Sequence, residues 1–190
     1  MSAGLPFLHW AGSGRPLRVL YIDSEMPPTL MAARAEDATR RLGEEPTGIS
    51  ILPKLLVQFP PLNTRAGQGY MDALIEKLEA EFVVFDNIRY LLAGDIAKPE
   101  AWEPVNPWVL GLTSRGIGQM WLHHTGWNTT HGYGDSTKEW NFDTVMLMGA
   151  GLPSMSRPVC GSQSDRSAAA EVGLCSTPVV RCTYKVHRPE

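Results

Sequence analysis

The stretch RVLYIDSEMPPTLMAARAE, Arg18 to Glu36, decides the fold. Its first six residues read as a buried strand that stops at the acidic pair Asp23 and Glu25. The chain then turns through Pro27 and Pro28 into a helix. Two carboxylates at the end of a buried strand are costly unless something cationic, or a reacting water, sits opposite them.

Working outward, the same alternation recurs. Short apolar runs bounded by polar or turn residues read as strands: Arg18 to Asp23, Ile49 to Leu52, Glu81 to Asp86, Gly118 to His124 and Asp143 to Met148. Longer amphipathic segments between them read as helices: Thr29 to Gly43, Gly67 to Ala80 and Trp102 to Gly116. Strands this uniformly apolar imply a sheet covered on both faces, hence a mostly parallel α/β arrangement. Gly43 is positioned as a C-cap of the first helix, and RAGQG before Tyr70 reads as a break ahead of the second. Pro104 and Pro107 make the third irregular, with a start expected near Asn106 and Pro107 in its first turn.

The 190 residues carry 43% hydrophobic side chains, enough for the core of one domain, and a net charge of −3. That balance gives no bulk attraction to phosphate backbones, so any nucleic-acid contact has to come from a local patch. Cys160, Cys175 and Cys182 are an odd number with no C-x-x-C pair, which fits reduced thiols in a cytoplasm better than a disulfide framework. The first residues lack a charged segment followed by an apolar run, and no stretch of 18 consecutive apolar residues occurs, so neither secretion nor a membrane span is expected.

From Gly149 the texture changes to Gly, Ser, Pro and Ala without a period, the composition of weakly ordered chain. Two parts follow: a core over 1–148 and a tail over 149–190 with one strand at 179–186. That strand alternates Val180, Cys182, Tyr184 and Val186 with Val179, Arg181, Thr183 and Lys185. A half-polar strand belongs at the periphery of a sheet, so it is expected at the edge, beyond the strand DTVMLM.

In open parallel sheets ligands bind at the carboxyl ends of the strands. Those ends offer Asp23-Ser24-Glu25, Asp86-Asn87 and His123-His124-Thr125-Gly126. FVVFDN has the form of a Walker B strand, in which Asp86 holds magnesium, though a strand-end cap has the same pattern. Glu25 suits either a cap at the positive end of the helix after Pro28 or a general base acting on water. His124 suits either a structural histidine or a contact to a terminal phosphoryl group. Adjacent histidines on a strand point to opposite faces, which argues against a metal cluster of His123, His124 and His131.

Taken in series, RVLYIDSEMP, FVVFDN, LHHTG and GYGDSTKEWNFDTVMLM resemble the RecA-like ATPase domains of the AAA family that includes the hexameric replicative helicase RepA and many phage and plasmid primase-helicases. The resemblance runs from Phe7 to Met148, about three quarters of the chain. It implies a RecA-like P-loop NTPase sandwich, a magnesium-dependent ATPase of DNA replication acting in a homo-oligomeric ring, with DNA met through that assembly. By it Glu25 takes the place of the catalytic glutamate, Asp86 that of the Walker B magnesium acid and His124 that of the phosphate sensor. Asn87 and Thr125 join the nucleotide site. Lys138, Lys185 and Arg188 are the basic residues that would act on a neighbour's nucleotide.

The departures bear on activity. The P-loop G-x-x-x-x-G-K-[ST], whose amides and lysine cradle phosphates, is missing; AGSGRP, Ala11 to Pro16, lacks the Lys-Thr or Lys-Ser and is followed by proline. Trp127 and His131 stand where relatives commonly carry Lys and Arg. The resemblance therefore implies a core that starts after its P-loop strand and helix, with weak ATP binding and impaired autonomous hydrolysis. The alternatives are an inactive remnant or interaction module with the same fold and, more distantly, a metal-dependent hydrolase using Asp86 and the histidines.

Overall fold

The computed structural model describes residues 14–45, 47–124, 142, 144–147 and 180–185, the last two as backbone strands. Strand β1 (Val19–Asp23) leads through Pro27 into helix α1 (Pro28–Leu42), where the proline occupies the first position and its missing N–H costs nothing. Gly43 ends α1 in the left-handed region (φ 77°), its N–H reaching the Thr39 carbonyl at 2.9 Å. Arg40 and Arg41 in the last turn complement the helix dipole and pair with Asp37 at 3.1 and 2.7 Å. No residue of α1 is buried.

Strand β2 (Ile49–Pro53) is followed by α2 (Arg65–Lys77), which begins earlier than expected. RAGQG does not break the helix: Thr64 caps it, its hydroxyl accepting the Gly67 N–H at 3.1 Å. Gly67 is needed for close approach, since a Cβ there would lie 2.1 Å from the Pro61 carbonyl oxygen. Strand β3 (Phe82–Asp86) runs into the short helices α3 (Ile88–Leu91) and α4 (Pro99–Trp102), then α5 (Asn106–Ser114). The third helical segment thus starts at Asn106 with Pro107 in its first turn, as the prolines required.

Strand β4 (Gly118–His124) completes a parallel array in the order β2-β1-β3-β4. The period of two sorts its side chains onto two faces. Leu20, Ile22, Val83, Phe85 and Trp121 face α2 to α5 and form the main core with Met71, Ile75, Leu91, Trp102, Val109 and Leu112. Phe85 stacks on Trp121 at 3.9 Å between centroids, and Trp102 meets Trp121 edge-on at 5.1 Å. The opposite face buries Val19, Phe82, Val84 and Met120, with Tyr21 and Leu122 beside them. Among the described residues no helix is long and apolar enough to cross a membrane.

The tail strand corrects an expectation. Strand β6 (Val180–Lys185) does not lie at the edge; it sits between β4 and β5 (Thr144–Leu147), antiparallel to both, in the order β4-β6-β5. The polar side chains of Arg181 and Lys185 favour an edge, but backbone pairing outweighs them. Without β6, the edges of β4 and β5 that it joins would leave N–H and C=O groups unpaired, at about 1–3 kcal/mol for each buried group. Consecutive strands also tend to pair, and β5 and β6 form such an antiparallel couple, which adds to β4 as a unit.

Two substitutions test this packing. Trp121→Ala should cost about 3–5 kcal/mol, as expected for a fully buried aromatic, and Gly67→Ala about 1–3 kcal/mol from overpacking against Pro61. Urea unfolding followed by tryptophan fluorescence would measure both. A Gly67→Ala protein as stable as the parent would refute the close approach of α2 to the Pro60-Pro61 turn.

Candidate functional site

Connections from β1 leave toward β2 on one side, and the chain then crosses back to β3 on the other, so the carboxyl ends of β1 and β3 flank a topological switch point. Such crevices receive ligands in open α/β sheets. Asp23 and Asp86 stand opposite each other in register at that point. Counting by twos along β1, β3 and β4 puts Asp23, Asp86 and His124 on the side of Tyr21, Val84 and Leu122, whereas His123 belongs to the opposite side.

Ser24 fastens the two strand ends together. Its backbone N–H donates to the Asp86 carbonyl at 2.7 Å and its hydroxyl to the same oxygen at 2.8 Å, while that hydroxyl accepts the Asn87 N–H at 2.9 Å. Asp23, fully buried, accepts the Met26 N–H at 3.0 Å and so shapes the turn that carries Glu25. The Tyr21 hydroxyl donates to Asp86 Oδ2. Asn87 caps α3 through Oδ1, which accepts the Arg89 N–H at 2.9 Å, and its Nδ2 lies 2.9 Å from His124 Nε2. The Glu25 carboxylate oxygens stand 3.3 and 3.4 Å from the same imidazole nitrogen.

Glu25, Asp86, Asn87 and His124, chosen from the sequence, are thus brought together on three neighbouring strand ends. Thr125, Lys138 and Arg188 lie outside the described residues. Lys185 is opposite Gln119 in the β4 register, at the far end of that strand from His124. Five residues of strand separate the two positions, roughly 16 Å at ~3.3 Å per residue. Sequence reasoning missed Tyr21 and Ser24. Tyr21 had a signal, since it is two residues before Asp23 and therefore shares its face; Ser24 had none beyond its place between the acids.

The electrostatics follow from burial. Desolvation raises the Asp86 carboxyl above its ordinary range, and nearby Glu25 adds to this; the Tyr21 hydrogen bond and the charges of His124 and Arg34 oppose it. Asp23 is raised too, chiefly by burial, against the hydrogen bonds from Met26 and Glu25 amides. Burial and its acidic partners push the Tyr21 phenol far above the usual range, so it remains a donor. Arg34, on α1, is the permanently charged cation beside Asp86 in this balance. Among the described residues no cluster of three or more His, Cys, Asp or Glu side chains is set to hold a metal ion.

Comparison of the chain with protein-family models, with curated proteins and with solved structures finds no match.

The raised carboxyls predict a pH dependence. A carboxyl held above its unfolded value binds its proton more tightly in the folded state. Its contribution to stability is full below the unfolded value and is lost as pH rises through the folded one. Lowering the pH from neutrality toward the upper edge of the carboxylate range should therefore raise Tm, with part of that gain missing in Asp86→Asn. At neutral pH Asp86→Asn itself should melt higher than the parent, by about 2–4 °C for each kcal/mol of relieved cost. Calorimetric scans of both proteins between pH 5 and pH 8, roughly the interval of maximal stability for most proteins, would check this. A lower Tm for Asp86→Asn at neutral pH would contradict it.

Proposed function

We propose that the chain is the ATPase-family domain of a DNA-replication, helicase-type protein, a RecA-like core that keeps the acidic half of an ATP-hydrolysis site. The observation that carries this reading is the convergence of Glu25, Asp86, Asn87 and His124 at the carboxyl ends of β1, β3 and β4 beside the switch point. General acid–base work on water needs a carboxylate that water can reach, and the Glu25 side chain is about one-third exposed. Asp86 is the acid for magnesium: its Oδ2 takes the Tyr21 hydroxyl, and a hard cation among raised carboxyls would offset the desolvation that raises them. When bound, magnesium would neutralise charge on the β- and γ-phosphates. His124 turns its Nε2 to the same space, at the position the resemblance gives to the phosphate sensor.

ATP would be held weakly. The sequence contains no P-loop, and the backbone anion site that makes most phosphate contacts in such proteins is the loop leaving a parallel strand. In RecA-like folds that strand lies between the sensor strand and the one after it. Here β6 occupies the corresponding slot in the opposite direction, so its carboxyl end points away from His124. This favours a second reading, in which the same fold serves as a remnant or interaction module without turnover.

Phosphate release from magnesium-ATP separates the two. The ATPase reading expects slow turnover that falls at least ~100-fold in Glu25→Gln, the usual scale of a lost general base. Turnover indifferent to Glu25→Gln, or none at any ATP concentration, would leave the second reading. Calorimetry should find ATP affinity weaker than micromolar in either case.

A further inference from the structure

Three groups meet at one nitrogen. His124 Nε2 has Asn87 Nδ2 at 2.9 Å and the two Glu25 oxygens at 3.3 and 3.4 Å. An imidazole nitrogen carries either one lone pair or one N–H, so it can accept from a donor or donate to an acceptor, never both. The amide amine of Asn87 only donates and a carboxylate only accepts. One of the two contacts is therefore unmade.

The amide orientation decides which. Asn87 Oδ1 takes the Arg89 backbone N–H at 2.9 Å, and a backbone N–H cannot accept, so the oxygen must face Arg89 and the amine must face His124. The distances agree. A charge-assisted bond from imidazolium to carboxylate closes to about 2.7–2.9 Å, and Glu25 stands outside that range, while Asn87 stands at ordinary hydrogen-bond length. Buried Asn87 is also the better-fixed partner, held by its cap and by the Ser24 hydroxyl, which accepts its own backbone N–H.

We propose that Asn87 is a positioning residue that keeps Glu25 free: by donating to His124 Nε2 it fixes the imidazole in its Nδ1–H tautomer, leaving no proton there for Glu25 to capture. Without the amide donor, Nε2 would carry the proton and donate it to the adjacent carboxylate, tying down the group that has to act on water. The tautomer follows from the hydrogen bonds alone; its effect on turnover rests on the ATPase reading above.

The full chain labelled with ¹⁵N-histidine tests this by NMR at about pH 8.5, well above the ordinary imidazole range, with the His124 signals identified by their loss in His124→Gln. Expected are an unprotonated Nε2 and a protonated Nδ1, unchanged in Glu25→Gln. Asn87→Ser, which keeps an oxygen for the Arg89 N–H but lacks the amine, should move the proton to Nε2 and lower kcat on the order of tenfold with little change in KM. A protonated Nε2 in the parent, a tautomer that changes with Glu25→Gln, or one that survives Asn87→Ser would overturn the assignment. Should Asn87→Ser fail to fold, the parent and Glu25→Gln spectra still decide. The Nδ1–H tautomer in a chain without turnover would count against the ATPase reading only; turnover that needs Glu25 beside a protonated Nε2 would count against the role of Asn87 only.

Discussion

Ser24 holds the carboxyl ends of β1 and β3 side by side, and most of the site depends on that tie. Three hydrogen bonds from one residue satisfy the Asp86 carbonyl and the Asn87 amide at the point where the ladder between the two strands ends. Buried backbone groups at a strand end need such partners. Because β1 and β3 are paired in register up to Asp23 and Asp86, the tie also fixes where Glu25 leaves the sheet and where Asn87 enters α3. His124 is then met from both sides, by Asn87 and by Glu25.

This geometry has an electrostatic cost. A buried carboxyl, Asp23, and a half-buried one, Asp86, lie side by side, with a third on the turn, and desolvation raises the first two. Tyr21, Arg34 and His124 offset that only in part, since the net direction for Asp86 remains upward. Sites built for binding or chemistry commonly carry this kind of unrelieved charge, and purely structural strand ends seldom need it. Stability elsewhere comes from the aromatic cluster on the other face, where Phe85, Trp102, Trp108 and Trp121 stack and cross. Phe85 immediately precedes Asp86, so the same strand anchors the core with one residue and the site with the next.

The direction of β6 decides which of its ends reaches the edge where Glu25 and His124 stand. A parallel strand in that slot would deliver its following loop to the edge where Glu25 and His124 stand. An antiparallel one brings its beginning there instead, with Val180 opposite His124. Backbone pairing can be satisfied in either direction, slightly better antiparallel, and it is what holds a strand in place. Filling a place in the sheet and presenting a loop at the carboxyl ends of β1 and β3 are therefore different achievements, and the topology provides the first.

Much of this was legible in the sequence. The periodicity of RVLYID and FVVFD, the prolines at 27, 28 and 107 and the glycine at 43 determined the elements and their caps, because such signals act within a few residues. Their places at the carboxyl ends of parallel strands put Asp86 and His124 at one edge, and alternation separates His123 from His124. What the sequence could not decide were the contacts between elements. Ser24 bridging to β3, Tyr21 turning its hydroxyl to Asp86, Thr64 capping a helix through a glycine pressed against Pro61, and Asn87 contending with Glu25 for one nitrogen each need two segments in place. The place of β6 was missed for the same reason: side-chain alternation tells which faces a strand presents, whereas its neighbours and direction are set by which backbone edges the rest of the sheet leaves unpaired.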